Sequence, residues 1–167
     1  VTRPLAAHFA RVTGMDISPS MVEAAREYAA KAPAHGGECE YVVNSGTKLD
    51  GIDDATFDLI YSAITLQHIP TTAALGYLKE FVRVLKPGGV AVFQLPARRR
   101  PSLKTRVGWL LPRSVRAKRH SGIQMHGALR GDVLSALAMA GGEVIDVQRD
   151  HSAGPEWESY RYAITRR

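Results

Sequence analysis

Cysteine is almost absent from this chain, whose 167 residues include only Cys39. A single cysteine excludes an internal disulfide and a cysteine-rich metal site. Cys39 falls at the predicted start of a strand, and no activating histidine adjoins it, so we do not expect a catalytic thiolate there. Such scarcity of cysteine is typical of a reducing compartment and favours a cytoplasmic protein.

Long apolar runs are also absent. No stretch reaches the ~20 residues that a membrane-spanning helix needs. Residues 1–10 do not resemble a signal peptide, because Arg3, Pro4 and His8 interrupt them. The six histidines are scattered, without ligand spacing next to carboxylates, so no metal site is predicted. These absences favour a globular domain that works without a metal ion.

Acidic residues are missing from residues 97–120, here called the basic segment, which holds nine lysines and arginines. The rest of the chain has 13 basic and 16 acidic residues, so the net charge of +6 is a local property. Leu103, Val107 and Leu110–Leu111 share one helical face until Pro112 interrupts it. This spacing predicts a short basic amphipathic helix.

Three interpretations of the basic segment stay open. It can be a solvated, arginine-rich lid. It can cover an acidic or lipid-like substrate, or touch an anionic membrane surface through residues 98–119. It can also contact nucleic-acid phosphates, but nucleic acid is the least favoured partner because no aromatic stacking platform accompanies the charges.

Strand and helix patterns alternate along the chain, which predicts an α/β fold with mainly parallel strands. Ser18 is expected to cap a helix that has Pro19 in its first turn. The Lys86–Gly89 turn is expected to separate a helix from the next strand. The predicted strands cover residues 11–16, 40–44, 57–62, 90–95, 143–147 and 157–164. The main predicted helices follow Ser18, run to about Leu85 with Thr71 or Thr72 as the cap, and cover 129–140. The last two strands are spaced for a hairpin-like return.

Three stretches carry a family resemblance: GMDISPSMVEAAR, FDLIYSAITLQHIP and LKEFVRVLKPGGVAVFQLP. In this order they resemble class I S-adenosylmethionine-dependent methyltransferases, in particular the type 11 group, over residues 1–97 and more loosely over 124–165. The resemblance implies a Rossmann-like sheet, mainly parallel with an antiparallel last strand. It also implies one methyltransferase domain over 1–167, in which residues 97–126 form a basic substrate-side insertion or lid.

The family's first strand and glycine-rich loop have no counterpart at the start of this sequence. VTRPLAAHFA resembles the helix that follows that loop. In nucleotide-binding α/β units the ribose-binding acidic residue lies roughly 20 residues after the glycines. Counting back from Asp16 puts the glycines at or just before residue 1. We therefore expect the sheet to lack its first strand.

The resemblance assigns the ribose of S-adenosylmethionine to Asp16, because a carboxylate at the end of a strand can accept hydrogen bonds from both hydroxyls. A solvated aspartate before a helix is the alternative. Ile17 and Met21 are expected to line the adenine, with core packing as the alternative for Met21.

Two further cofactor contacts are implied after later strands. The family usually has an aspartate for the adenine amino group, where this chain reads VVNSGTKL. Ser45 and Gly46 occupy that place, and a hydroxyl would make a weaker contact. An ordinary strand-ending turn is the alternative. Ser62 and Ala63 lie at the end of the predicted strand 57–62, and small residues there suit close passage beside the methionine part of the cofactor.

His68 resembles a histidine common on the substrate side of this group and is the candidate general base. The alternative is that it caps or packs the loop before Pro70. His126 and Tyr61 are weaker candidates. The expected function is methyl transfer to a small-molecule or lipid-like acceptor. The alternatives are a truncated, non-catalytic methyltransferase-like binding module and a nucleic-acid-binding module that uses the basic segment.

Overall fold

The computed structural model describes residues 2–31, 36–44, 46–100 and 124–167. The chain divides into two compact units, Val1–Asp50 and Gly51–Arg167. The expectation of a single domain over the whole chain stays a prediction. No helix in the described ranges is long and apolar enough to cross a membrane.

The smaller unit holds a two-stranded parallel sheet. Its elements are helix α1 (Thr2–Leu5), strand β1 (Arg11–Asp16), helix α2 (Pro19–Lys31) and strand β2 (Glu38–Val43). The two strands pair in register from Arg11 with Glu38 to Asp16 with Val43. Helix α2 begins at Pro19, and Ser18 Oγ accepts the Met21 backbone N–H at 3.4 Å, which confirms the predicted cap.

The larger unit holds a four-stranded mixed sheet in the order β3-β4-β6-β5, when its strands are numbered along the chain. Its elements are β3 (Phe57–Ser62), a 3₁₀ turn (Leu66–His68), α3 (Thr71–Val84), β4 (Leu85–Arg99), α4 (Arg130–Met139), β5 (Gly142–Asp150) and β6 (Trp157–Arg166). Strands β3 and β4 are parallel, whereas β6 runs antiparallel to both β4 and β5. The expected α/β fold with an antiparallel last strand and a hairpin-like return is confirmed.

The start of β4 was predicted wrongly. The Lys86–Gly89 turn was expected to precede the strand, but β4 already begins at Leu85. Phe57 pairs with Leu85, and Pro87 pairs with Arg166. The register is irregular between Pro87 and Val90, so the strand absorbs the turn-forming residues.

Stacked rings form the centre of the larger unit. The rings of Phe93 on β4 and Tyr162 on β6 lie 5.1 Å apart at an angle of 15°. Phe81 of α3 adds a tilted ring 6.1 Å from Phe93. Leu78 and Leu137 bring α3 and α4 onto the same core, and both are fully buried.

Strand pairing bears on the missing-strand expectation without testing it. In the described part of the chain β1 pairs with β2 only, and β3 pairs with β4 only. The absence of a first strand therefore stays a prediction. Most of the basic segment, residues 101–123, lies outside the described residues, and so does the predicted amphipathic helix.

Candidate functional site

Asp16 ends β1 and turns the chain into α2. Its Oδ1 accepts the Ser18 backbone N–H at 2.9 Å, and its carboxylate is exposed. A carboxylate offers about four lone-pair positions, and this turn uses one of them. The side chain makes no other hydrogen bond to the described residues. The local turn therefore fixes the carboxylate while leaving it able to accept two hydroxyls.

Two large apolar side chains that follow Asp16 in the sequence are exposed to solvent. Ile17 is 69% exposed and Met21 is 59% exposed, whereas their neighbour Val22 is buried. Core packing was the alternative for Met21, and an exposure of 59% does not fit it. Two exposed apolar side chains at the start of α2 can cover the flat face of a ligand.

The β2 end of the smaller unit is described only in part. Ser45 lies outside the described residues, so its predicted contact to the adenine stays a prediction. Gly46 is half-buried, and a Cβ added there would lie 2.9 Å from Asp50 Oδ2. Asn44 continues the β1–β2 ladder, because its backbone N–H donates to the Asp16 carbonyl at 2.9 Å.

The remaining candidates lie in the larger unit, in the loop that leaves β3. Ser62 is the last residue of the strand and Ala63 follows it; both are half-buried. Ile64 then adopts φ of +63°, a left-handed conformation that is unfavourable for a β-branched residue. Its backbone N–H donates to Gln94 Oε1 at 3.1 Å. A part-buried hydrogen bond thus helps to hold a strained loop directly after the two small residues.

Two buried amides support this loop, and neither was predicted from the sequence. Gln94 on β4 is 2% exposed and Gln67 in the 3₁₀ turn is 4% exposed. Gln94 Nε2 donates to Ser159 Oγ at 2.7 Å and to Gln67 Oε1 at 3.4 Å. Gln94 is a lone polar residue in an apolar run, which is a sequence signal that could have marked it, whereas Gln67 adjoins His68 and has no such signal.

His68 is exposed, but both ring nitrogens have partners. Nε2 lies 3.2 Å from Gln67 Nε2, and Nδ1 lies 3.4 Å from the Gln124 carbonyl oxygen. The alternative reading, in which His68 packs the loop, is compatible with these contacts. The general-base role stays a prediction.

Residues 124–128 lie against the loop and the start of α3. The His126 backbone N–H donates to the Gln67 carbonyl at 2.7 Å, and Thr71 Oγ1 donates to the Gly127 carbonyl at 2.8 Å. The Ala128 N–H donates to the Pro96 carbonyl at 2.9 Å. His126 is thus held by its backbone beside the turn that carries His68.

Tyr61, the other weaker candidate, lies on β3 and is 48% exposed.

The described start of the basic segment is partly neutralised. Arg98 Nε donates to Glu158 Oε2 at 2.8 Å, and Arg99 Nη2 donates to Glu156 Oε2 at 2.5 Å. The Tyr160 hydroxyl also donates to Glu158. The hydrogen bonds from Tyr160 and Arg98 together hold the pKa of the Glu158 carboxyl below its usual range. Arg98 and Arg99 are therefore less available to an acidic ligand than their charge suggests.

Metal chemistry finds no support in the described ranges, where no group of three or more histidine, cysteine or acidic side chains is arranged to hold an ion. Cys39 is a half-buried free thiol next to Tyr41, and burial together with this thiol raises the pKa of the Tyr41 hydroxyl.

Comparison with known proteins gives a consistent family. Residues 1–93 match the family described as "Methyltransferase domain". The chain is 35% identical over 80 residues to the sterol 4-C-methyltransferase of Caenorhabditis elegans, covering 48% of this chain and 23% of that protein. It is 36% identical over 87 residues to the trans-aconitate 2-methyltransferase of Streptomyces coelicolor, covering 52% of this chain and 27% of that protein. The chain thus matches only about a quarter of each curated relative.

Among solved structures, the chain resembles magnesium protoporphyrin IX methyltransferase from Synechocystis PCC 6803, crystallised with bound S-adenosylhomocysteine. The TM-score is 0.70 at 19% identity, covering 99% of this chain and 68% of the other. Identity at this level supports the fold and leaves residue roles to the geometry.

Proposed function

Because this chain belongs to the methyltransferase-domain family, we propose that it transfers the methyl group of S-adenosylmethionine to a small-molecule or lipid-like acceptor. The observation that carries the proposal is the turn after β1. There the exposed Asp16 carboxylate keeps most of its acceptor capacity, and Ile17 and Met21 expose large apolar side chains. A nucleoside needs this combination of a hydroxyl acceptor and an apolar cover.

Each cofactor-binding residue has a separate task in the proposed reaction. Asp16 accepts hydrogen bonds from the ribose hydroxyls, and Ile17 and Met21 cover the adenine. Ser62 and Ala63 let the backbone pass close to the methionine part. Ser45 and Gly46 belong to the adenine side. When bound, S-adenosylmethionine supplies a methyl group attached to a sulfonium sulfur, and the neutral thioether that remains after transfer is a good leaving group.

The protein's contribution to the chemical step is therefore mainly positioning. Holding the acceptor atom in line with the methyl group and excluding water can lower the barrier by about 7–11 kcal/mol. A base is needed only if the acceptor must lose a proton early, and His68 is the candidate for that role. The two curated relatives are named for a sterol and for trans-aconitate, which suggests apolar and carboxylate-bearing acceptors for testing.

The test has two parts. Calorimetric titration of S-adenosylhomocysteine into the intact protein is expected to show saturable binding. Transfer of labelled methyl groups from S-adenosylmethionine is then measured with a sterol and with a tricarboxylate as acceptors. Absence of S-adenosylhomocysteine binding would refute the proposed cofactor. Binding without transfer to any small-molecule or lipid acceptor would favour the non-catalytic alternative.

A further inference from the structure

A one-way chain of hydrogen bonds connects a backbone donor to a backbone acceptor through three side chains of the larger unit. From this chain we infer that Gln94 and Gln67 place the proton of the neutral His68 ring on Nδ1. His68 then acts as a positioning residue that joins the loop after β3 to residues 124–128. The tautomer depends on this structure alone, whereas its meaning for catalysis rests on the proposed function.

The first link fixes the direction of Gln94. A backbone N–H can only donate, so the Ile64 N–H requires the oxygen of the Gln94 amide, which lies 3.1 Å away. The amide nitrogen must then face the opposite way. Its two hydrogens go to Ser159 Oγ at 2.7 Å and Gln67 Oε1 at 3.4 Å, so every polar group of Gln94 is used.

The second link passes this direction to the histidine. Since Gln67 turns its oxygen toward Gln94, its NH₂ group faces His68 Nε2 at 3.2 Å. An amide NH₂ can only donate, so Nε2 must accept and cannot carry the proton of the neutral ring. The proton is then on Nδ1, which lies 3.4 Å from the Gln124 carbonyl oxygen, a group that can only accept.

Burial makes the reverse direction unfavourable. Gln94, Gln67 and Ser159 are each no more than 4% exposed, so water cannot readily replace a lost partner. Turning the Gln67 amide around would place its NH₂ against the NH₂ of Gln94 and leave both short of an acceptor. An unsatisfied polar group is costly in such surroundings, so this series of hydrogen bonds has one preferred direction.

This arrangement occupies the lone pair that a general base would need. To accept a proton from a substrate, Nε2 of His68 would first have to give up its bond from Gln67. The same ring instead links the 3₁₀ turn to Gln124, beside the bond from the His126 N–H to the Gln67 carbonyl. His68 thus helps to hold the loop that begins at Ala63, directly after Ser62.

The tautomer can be read from long-range ¹⁵N NMR of the imidazoles in the intact protein, at a pH where the rings are neutral. We expect His68 to show a protonated Nδ1 in the unsubstituted protein. A predominantly protonated Nε2 there would overturn the inference without any variant. This measurement needs no cofactor, so it stands even if the proposed function fails.

Two nearly isosteric substitutions test the series of hydrogen bonds from Ile64 to Gln124. Gln67→Met removes the donor to Nε2, and we expect His68 to move toward the Nε2-protonated form. Gln94→Met is expected to move it in the same direction, although Gln94 makes no hydrogen bond to His68, because the Gln67 amide is then free to rotate. Ser159→Ala is the matched control: it removes one partner of Gln94 but leaves the chain intact, so the tautomer should not change. An unchanged tautomer in Gln67→Met would contradict the proposal.

The positioning role is separated from a base role by the pH profile of kcat for His68→Asn. A positioning residue predicts a lower kcat with the shape of the profile preserved. Loss of one ionisation from that profile would show that His68 acts as a base and would overturn the positioning role.

Discussion

Asp16 and Asp150 are two aspartates in similar turns, although Asp150 is half-buried and also accepts the Ser152 hydroxyl. Each ends a strand, β1 or β5, and each accepts the backbone N–H of the residue two positions later, Ser18 or Ser152, at 2.9 Å. Only Asp16 is followed by large exposed apolar side chains and assigned to the cofactor. The pair therefore separates the structural role of such an aspartate from the proposed role in binding.

The first prediction uses this pair. Asp16→Asn keeps an oxygen for the turn but loses the charge that strengthens hydrogen bonds to the ribose. We expect the Kd for S-adenosylhomocysteine to rise about tenfold or more, the scale of a hydrogen bond to a charged group. Isothermal titration calorimetry measures it. Asp150→Asn should leave the Kd unchanged, and equal losses in both variants would mean that Asp16 only shapes its turn.

Tyr162 carries a buried hydroxyl that has no hydrogen-bond partner among the described residues. Tyr162→Phe keeps the ring stacked on Phe93 and removes an unsatisfied polar atom. We expect the free energy of unfolding at neutral pH to increase by about 1 kcal/mol or more, measured by urea denaturation. Tyr160→Phe is the contrasting control, because its hydroxyl donates to Glu158, so the same chemical change should lower stability. A stability loss in Tyr162→Phe would contradict the prediction.

The same residue gives a pH dependence. Burial raises the pKa of Tyr162 to about 12, whereas an unfolded tyrosine titrates near 10. Between these values the unfolded chain loses the proton and the folded chain keeps it. The contribution to stability is therefore complete below pH ~10, and it falls by up to about 1.4 kcal/mol per pH unit above that. The free energy of unfolding, measured by urea denaturation at several pH values above 10, should fall less steeply with pH in Tyr162→Phe than in the unsubstituted protein. Parallel curves would mean that Tyr162 does not titrate with folding.

Single residues also mark where sequence reasoning stops. Asp16 was identifiable because a carboxylate between a strand pattern and a helix cap has a recognisable setting. Gln67 and Gln94 were not, since the sequence around a buried amide does not identify its hydrogen-bond partner. The two residues are 27 positions apart in the chain, and only strand pairing together with the 3₁₀ turn brings the Gln94 Nε2 and Gln67 Oε1 atoms to 3.4 Å.

At the scale of elements, residues 124–128 form a junction that depends on a small side chain. A Cβ added to Gly127 would lie 2.8 Å from the Ala97 carbonyl oxygen and 3.1 Å from that of Pro96. Both contacts are to backbone, which cannot rotate away. Gly131, four positions later in α4, has nothing within 4 Å of an added Cβ.

These two glycines should respond oppositely to alanine. Gly127→Ala is expected to lower the free energy of unfolding by about 1–3 kcal/mol, because the junction must move off β4. Gly131→Ala is expected to raise it by about 0.5 kcal/mol, because alanine restricts the unfolded chain and fits the helix. Thermal or urea unfolding of both variants decides the matter. A neutral Gly127→Ala would show that residues 124–128 are not tightly docked.

Element boundaries show the balance of local and long-range forces. β3 was predicted at residues 57–62 and lies there, since an apolar run after turn-forming residues leaves few alternatives. β4 was predicted to start at Val90 but starts at Leu85, because pairing with β3 and β6 overrides the local turn preference of Lys86–Gly89. Local preference fixed the start of α2 at Pro19, where no such pairing competes. The predicted cap of α3 at Thr71 or Thr72 is wrong, because the helix begins at Thr71 after Pro70 and the Thr71 hydroxyl donates to the Gly127 carbonyl instead.

At the scale of the whole molecule, the two units differ in how well their strands are supported. β6 has partners on both sides, and β4 lies between β3 and β6. In the described part of the smaller unit, β1 pairs with β2 alone, and the buried apolar side chains are Ala6, Val22 and Leu49. Sequence patterns did not predict this division, because no linker composition marks the boundary near residue 50.

This difference predicts two classes of local opening. A two-stranded sheet with few buried side chains is marginally stable, so amides of β1 should exchange with solvent at a lower opening free energy than those of β4 and β6. Hydrogen exchange followed by NMR, with Val12 and Tyr162 as reporters, measures both classes. Equal opening free energies would mean that the units unfold as one.

Saturating S-adenosylhomocysteine should slow amide exchange around Asp16 by mass action, because a ligand that binds only the folded turn stabilises it. An unchanged exchange rate there would place the cofactor elsewhere.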